Sequence, residues 1–354
     1  MTTETTRICL VPRVSGVGGM VSFRDKFSQA LHARGIDVLY DLHAVHRTSH
    51  LASQTSILVI GGTRDLLGLW RAKRRGIKIV QRLNGMNWLH RKLDTGIRHT
   101  LKSIYGNWNL QFIRSRLADH IVYQSQFSRR WWERVYGPTK IPSSVVYNAV
   151  DLDTYTPKPR PADSQSNNYR ILLVEGSLMG GYELGLGTAV ALVDKLSNAH
   201  RQKLNKPVEL VVVGRVSPDA QAFWSQRAES TINWVGLISS DSIPDFDRSA
   251  DLLYAADINA ACPNAVIEAL ACGTPVLAFD TGALSELVTG DSGRVVPYGG
   301  DPWHLDPPDV DALAEAAVEI LLNQERFRHT ARARAEAAFD LDDMVAGYLD
   351  ALLG

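Results

Sequence analysis

Pro263-Asn264-Ala265-Val266-Ile267-Glu268-Ala269-Leu270-Ala271-Cys272-Gly273-Thr274-Pro275-Val276-Leu277 decides how this chain is read. The run predicts a short helix that opens at a proline, closes at a glycine and passes at once into an apolar strand. Pro263 suits the first helical turn, where its missing N–H needs no partner. The amides of Asn264, Ala265 and Val266 would then point out of the helix start, where a phosphate is favoured. Glu268 lies one turn further on and shares a face with Asn264. An acid behind an anion-binding helix start suits a ligand with both phosphates and sugar hydroxyls, which is a nucleotide-sugar. The same residues also fit a surface helix with one solvated glutamate, so the flanks must decide.

Asp280-Thr281-Gly282-Ala283-Leu284-Ser285-Glu286-Leu287-Val288 follows as a second glycine-containing loop opening a short helix, and Gly293–Pro297 reads as a closing strand. Two consecutive strand-loop-helix units place helix starts on one edge of a parallel sheet, where open α/β folds bind ligands.

Upstream, apolar strands are predicted at 8–12, 36–40, 57–60, 77–81, 120–124 and 145–147. Helices lie between them, one from about Gly96 to Leu117. A second alternating series starts at 170–174, and the tail from Val310 to Leu353 is helical. Such alternation predicts parallel, doubly wound sheets. A polar, proline-rich stretch around 156–169 separates the series as a linker. The expected order is a domain over 1–155, the linker 156–169, a second domain over 170–335, and a C-terminal helix over 336–354 that returns to the first domain.

The chain has 354 residues, 45% hydrophobic and 21% charged, which fits a soluble globular protein of two domains. No apolar run approaches the ~18–20 residues that span a bilayer. Residues 1–7 lack a signal-peptide shape. Cys9, Cys262 and Cys272 lack metal-site spacing. A reduced, cytoplasmic protein is expected. The net charge of zero conceals an asymmetry: residues 1–150 hold 23 Lys and Arg against 8 Asp and Glu, a surplus of 15 that the remainder reverses. The basic half would attract an anionic acceptor or a phospholipid surface, or simply the acidic half. No nucleic-acid module is recognisable. On a predicted helix, Arg129-Arg130-Trp131-Trp132-Glu133-Arg134-Val135-Tyr136 mixes cations and aromatics in a way that suits an anionic membrane interface, although at least one tryptophan must face the core.

The segment 231–300 resembles the C-terminal domain of the GT-B glycosyltransferases, most closely the large retaining family four. That family carries an acid, seven residues, then a second acid, here Glu268. An Ala-x-Ala-x-Gly-x-Pro-Val run follows, matched by residues 269–276, and later a Glu-hydrophobic-Val stretch, matched at 286–288. The first acidic position falls on Ala260, a departure. The resemblance spans the whole chain and implies two Rossmann-like α/β domains facing a central cleft. It implies a metal-independent, retaining glycosyltransferase with a nucleotide-sugar co-substrate, no other cofactor and no protein nucleophile, so no catalytic residue is named. The acceptor would be an anionic, lipid-linked or glycan hydroxyl. The protein would be cytoplasmic, peripheral to the inner face of the plasma membrane.

In that resemblance Glu268 bonds the donor ribose, and Asn264, Ala265 and Val266 hold phosphate or sugar through their amides. Leu237, just past Gly236, reads the base by its backbone. Gly18 and Gly19, in a loop that on its own fits a tight turn equally well, line the cleft. Where relatives carry a histidine near the donor sugar, this chain has Arg82, Asn84 and Gly85. Relatives also place an arginine and a lysine on the diphosphate, but here Ser177 takes the arginine's place and no lysine follows. The leaving diphosphate must be stabilised, and Arg13, Arg82 and Arg215 are the candidate cations. Ala260 and Ser177 keep two other readings open: a GT-B-shaped nucleotide-sugar binding protein without turnover, and a nucleotide-sugar epimerase.

Overall fold

The computed structural model describes residues 6–13, 16, 18–47, 55–158, 167–179 and 183–354. Val14, Ser15 and Val17 of the first glycine loop, 159–166 of the expected linker and 180–182 lie outside the described residues. The chain divides into two compact units, Met1–Asn148 with Asp342–Gly354, and Ala149–Leu341.

Unit 1 runs β1 (Arg7–Val11), α1 (Gly19–Ala33), β2 (Asp37–Leu39), α2 (Leu42–Arg47), β3 (Thr55–Ile60), α3 (Leu66–Arg74), β4 (Lys78–Leu83), α4 (Ile97–Phe112), β5 (His120–Tyr123), α5 (Gln126–Tyr136) and β6 (Ser143–Val145). Its sheet has the order β2-β1-β3-β4-β5-β6, with every pairing parallel. The inner strands β1, β3, β4 and β5 are buried almost throughout, as expected of parallel strands covered on both faces, while the edge strands β2 and β6 are partly exposed. The last expected strand sits two residues early, at Ser143–Val145.

Unit 2 runs β7 (Tyr169–Ser177), α6 (Leu184–Asn198), β8 (Val208–Arg215), α7 (Pro218–Arg227), β9 (Thr231–Gly236), α8 (Ile243–Ser249), β10 (Leu252–Tyr254), α9 (Asn264–Ala271), β11 (Val276–Phe279), α10 (Leu284–Leu287), β12 (Gly293–Val296), α11 (Val310–Leu322) and α12 (Gln324–Ala338). Its sheet, also parallel throughout, has the order β12-β11-β10-β7-β8-β9. The segment ahead of β7 is tied to this unit: Arg248 donates to the carbonyls of Thr154 and Thr156, and Arg332 to those of Leu152 and Tyr155.

A last helix, α13 (Leu341–Leu353), packs into unit 1. Tyr348 meets the rings of Phe23 and Phe27 at 5.0 and 5.5 Å. Ser56 Oγ donates to the Leu352 carbonyl, and Arg34 pairs with Asp342.

One sequence expectation needs correction. Trp131 and Trp132 are both buried; the Trp132 indole donates to the Asn84 carbonyl at 2.7 Å. The tryptophans of α5 are therefore core residues and offer nothing to a membrane. Separately, no helix among the described residues is long and apolar enough to cross a membrane.

Candidate functional site

In unit 2, β7 and β10 are neighbours whose chain connections lead away in opposite directions. That reversal opens a crevice at the carboxyl ends of the strands, the place where sheets of this kind bind ligands. Glu175 lies near the end of β7 and Asp257 three residues past β10. With Tyr254, Pro263, Ala265 and Val266 they line a recess at this point. A second recess of about 150 Å³, lined by Gly185, Thr188, Thr281 and Tyr298, shares Tyr254 and Asp257 with the first.

Helix α9 starts beside this crevice. Pro263 forms the cap itself, with an extended ψ of 125°, so the helix opens at Asn264, one residue later than the sequence implied. The amides of Asn264, Ala265 and Val266 fall in the first turn, where no helical carbonyl precedes them. The other end is closed by Gly273 N–H on the Leu270 carbonyl and Thr274 N–H on that of Ala269. Arg332 reaches from α12 to the Ala271 carbonyl at 2.9 Å, placing a cation at the negative end of the helix.

Glu268 is half-buried midway along α9. Behind it stands Asp247 of α8, 0% exposed, with neither carboxylate oxygen hydrogen-bonded. Burial, reinforced by the charge of Glu268, holds the Asp247 carboxyl well above the usual range. Burial thus disfavours a charge on Asp247 at the back of Glu268.

Glu175 and Asp257 form a second coupled pair of acids. Burial raises both, and the charge of Asp257 raises Glu175 further. Two carboxylates cannot both ionise cheaply in one crevice, so Glu175 keeps its proton. The strand that carries it is held by close backbone approach. A Cβ on Gly214, at φ +143°, would lie 1.9 Å from the Glu175 carbonyl oxygen. The ladder slips between Val174 and Ser177, after which Ser177 pairs in register with Arg215. The exposed Arg215 thus stands on the adjacent strand, beside the position where the expected arginine is absent.

The loop before α10 closes the crevice from another side. Gly282, at φ +61°, packs so tightly that a Cβ would meet the Ala260 carbonyl oxygen at 2.4 Å. The Ala283 N–H donates to that same carbonyl at 2.9 Å. Ala260 is buried in this clamp. Arg334 of α12 caps α10 through the carbonyls of Glu286 and Leu287.

Among the other residues singled out by sequence, Leu237 is exposed one residue past β9. In unit 1, Arg13 follows β1 and is exposed, and Gly18 and Gly19 are exposed at the start of α1. Asn84 and Gly85 follow β4 half-buried, with the Asn84 carbonyl accepting from Ser128 Oγ and Trp132 Nε1. Arg82 requires correction. Only 2% exposed, it donates to Asn148 Oδ1 at 2.8 Å and lies 4.0 Å over the Phe23 ring. Its charge is used inside unit 1 and is not presented to an anion.

Sequence reading missed Glu175, Asp257 and Asp247. Glu175 had a signal: it ends a run of five residues, Ile171-Leu172-Leu173-Val174-Glu175, otherwise wholly apolar. Nothing in the sequence marked Asp247, whose isolation depends on how α8 packs on α9.

Residues 186–323 match the family described as glycosyl transferases group 1. A D-inositol 3-phosphate glycosyltransferase of Xylanimonas cellulosilytica is 31% identical over 251 residues, covering 66% of this chain and 56% of that protein. The chain thus spans little more than half of that relative. A lipopolysaccharide core biosynthesis mannosyltransferase of Rhizobium leguminosarum is 26% identical over 82% of this chain and 83% of its own. The solved structure of Anabaena HepE in complex with UDP and glucose superposes with a TM-score of 0.67 at 16% identity, covering 98% of each chain. Residues 186–323 are thus similar to the glycosyl transferases group 1, and the chain's two parallel six-stranded sheets are those of the GT-B glycosyltransferase fold.

Proposed function

We propose that this protein transfers a sugar from a nucleotide-sugar to a hydroxyl of an anionic or lipid-linked acceptor, with retention at the anomeric carbon and without a metal. The observation that carries the reading is the α9 start beside the strand reversal of unit 2, with Glu268 one turn further along that helix and Arg215 in register with Ser177 on the strand next to β7. Glu268 accepts hydrogen bonds from the donor ribose, and the amides of Asn264, Ala265 and Val266 hold phosphate or sugar oxygens. Leu237 lies at the base. As the bond between the anomeric carbon and the diphosphate breaks, charge grows on the leaving phosphate. Arg215 meets that charge in place of the missing basic pair. The acceptor oxygen bonds the same face of the sugar, and its proton passes to the departing phosphate oxygen. A neutral Glu175 does not repel the diphosphate and offers an O–H to it or to the sugar.

An inositol phosphate and a lipopolysaccharide core appear in the names of the relatives, and the surplus of 15 positive charges in residues 1–150 suits an acceptor of that charge. The work would be done at the cytoplasmic face of a membrane. Incubation with UDP-, GDP- and ADP-sugars tests the reading. One donor should be slowly hydrolysed to free nucleoside diphosphate, and Arg215→Ala should slow release roughly tenfold to a thousandfold. Release unaffected by Arg215→Ala would remove the role given to that residue. Glu175 and Asp257 supply the carboxylates an epimerase would need; for that second reading the sugar would emerge epimerised and still joined to its nucleotide.

A further inference from the structure

Helix α4 is inverted in polarity. Its buried side chains are Ser103, Asn107 and Asn109. Asn107 bonds the backbone of Asn87 through both its amide nitrogen and oxygen, and Asn109 donates to the Thr63 carbonyl. Five apolar side chains face outward: Ile97 is 81% exposed, Leu101 62% and Trp108 50%, with Ile104 and Tyr105 also exposed, while Leu110 and Phe112 at the end of the helix are half-buried, Phe112 against the core. At 100° per residue these five fall within an arc of about 100°. Tyr105 and Trp108 lie 5.9 Å apart, and Trp108 stacks on Phe112 at 5.4 Å, so the stripe is preorganised. Among the described residues nothing covers it. A soluble helix normally turns its polar face to water, so an outward apolar stripe marks a contact surface.

The charges around the stripe select its occupant. Arg98 and Lys102 border it on α4, which has no acid, and Arg91 and Lys92 precede the helix, with Asp94 the one acid between residues 90 and 112. All four cations are exposed. A second copy of this chain would bring the same cations against these, which charge repulsion opposes. We propose that α4 lies in the interface of an anionic phospholipid membrane, its apolar stripe among the acyl chains and its flanking cations at the headgroups. This transfers to α4 the membrane contact that the sequence had placed on α5. It does not depend on the donor site.

Sedimentation of the full chain with vesicles, in the absence of nucleotide, tests it. The wild type should bind vesicles of mixed phosphatidylcholine and phosphatidylglycerol far better than phosphatidylcholine alone, and less well in high salt. The variant Ile97→Glu/Leu101→Glu should lose roughly tenfold or more of that binding. Both positions are exposed, so its melting temperature should stay near that of the wild type, and Val135→Glu on α5 should bind as the wild type does. Wild-type protein that ignores anionic vesicles, or an equally adherent double variant, overturns the proposal. So does a wild-type dimer that Leu101→Glu dissociates, since the stripe would then belong to a second copy.

Discussion

Side chains at the crevice of unit 2 divide by whether burial lets them keep a charge. Glu268 is half-buried beside a helix start, whereas Asp247 behind it is sealed from water and Glu175 shares its recess with Asp257. This division was not legible in the sequence, where all are ordinary acids. It arises from distances between residues far apart in the chain. Arg82 shows the converse: a cation at a strand end reads as an anion contact until its bond to Asn148 is seen. Titration gives a test. The pKa of Glu175 is higher in the folded protein than its unfolded value, so folding takes up a proton. That stabilisation is complete below the ordinary glutamate pKa of about 4.3 and is lost as pH rises from there through the raised value. Thermal melts of Glu175→Gln should therefore fall less steeply with increasing pH than those of the wild type. Parallel profiles would mean that Glu175 is ionised in the folded protein.

The strands and helices were the most legible level, because buried parallel strands must be near-continuous apolar runs and their connecting helices must cover them. Boundaries moved where local backbone decided them: Pro263 caps α9 from outside, and β6 ends at Val145. What sequence could not give was the fit between elements. Gly214, inside β8, allows that strand to lie against the Glu175 carbonyl. Replacing it with alanine forces either β7 or β8 to move and strains a backbone at positive φ. Gly214→Ala should cost about 2 kcal/mol or more in a denaturant melt and should weaken nucleotide binding in whatever protein remains folded. A variant as stable as the wild type would show that β7 and β8 are not held together as described. Helix α4 belongs to the same lesson. Only the structure reveals that Ser103, Asn107 and Asn109 are its buried residues while five apolar side chains are exposed.

At the scale of the whole molecule, two features were legible in advance: two alternating α/β series, and opposite charge surpluses in the two halves. Unit 2 combines an acidic composition with the proposed diphosphate site, a conflict that composition alone leaves open. The structure offers a local answer in Asp247 and Glu175, whose charge burial disfavours, with the α9 amides and Arg215. The direct test is a calorimetric titration of the full chain with UDP, GDP and ADP, repeated with Glu268→Ala. One nucleotide should bind and raise the melting temperature, and Glu268→Ala should weaken that affinity by roughly tenfold, the loss of about one good charged hydrogen bond, while leaving the ligand-free melting temperature nearly unchanged. If no nucleotide binds, or if Glu268→Ala binds as tightly as the wild type, the donor site is not where this account places it.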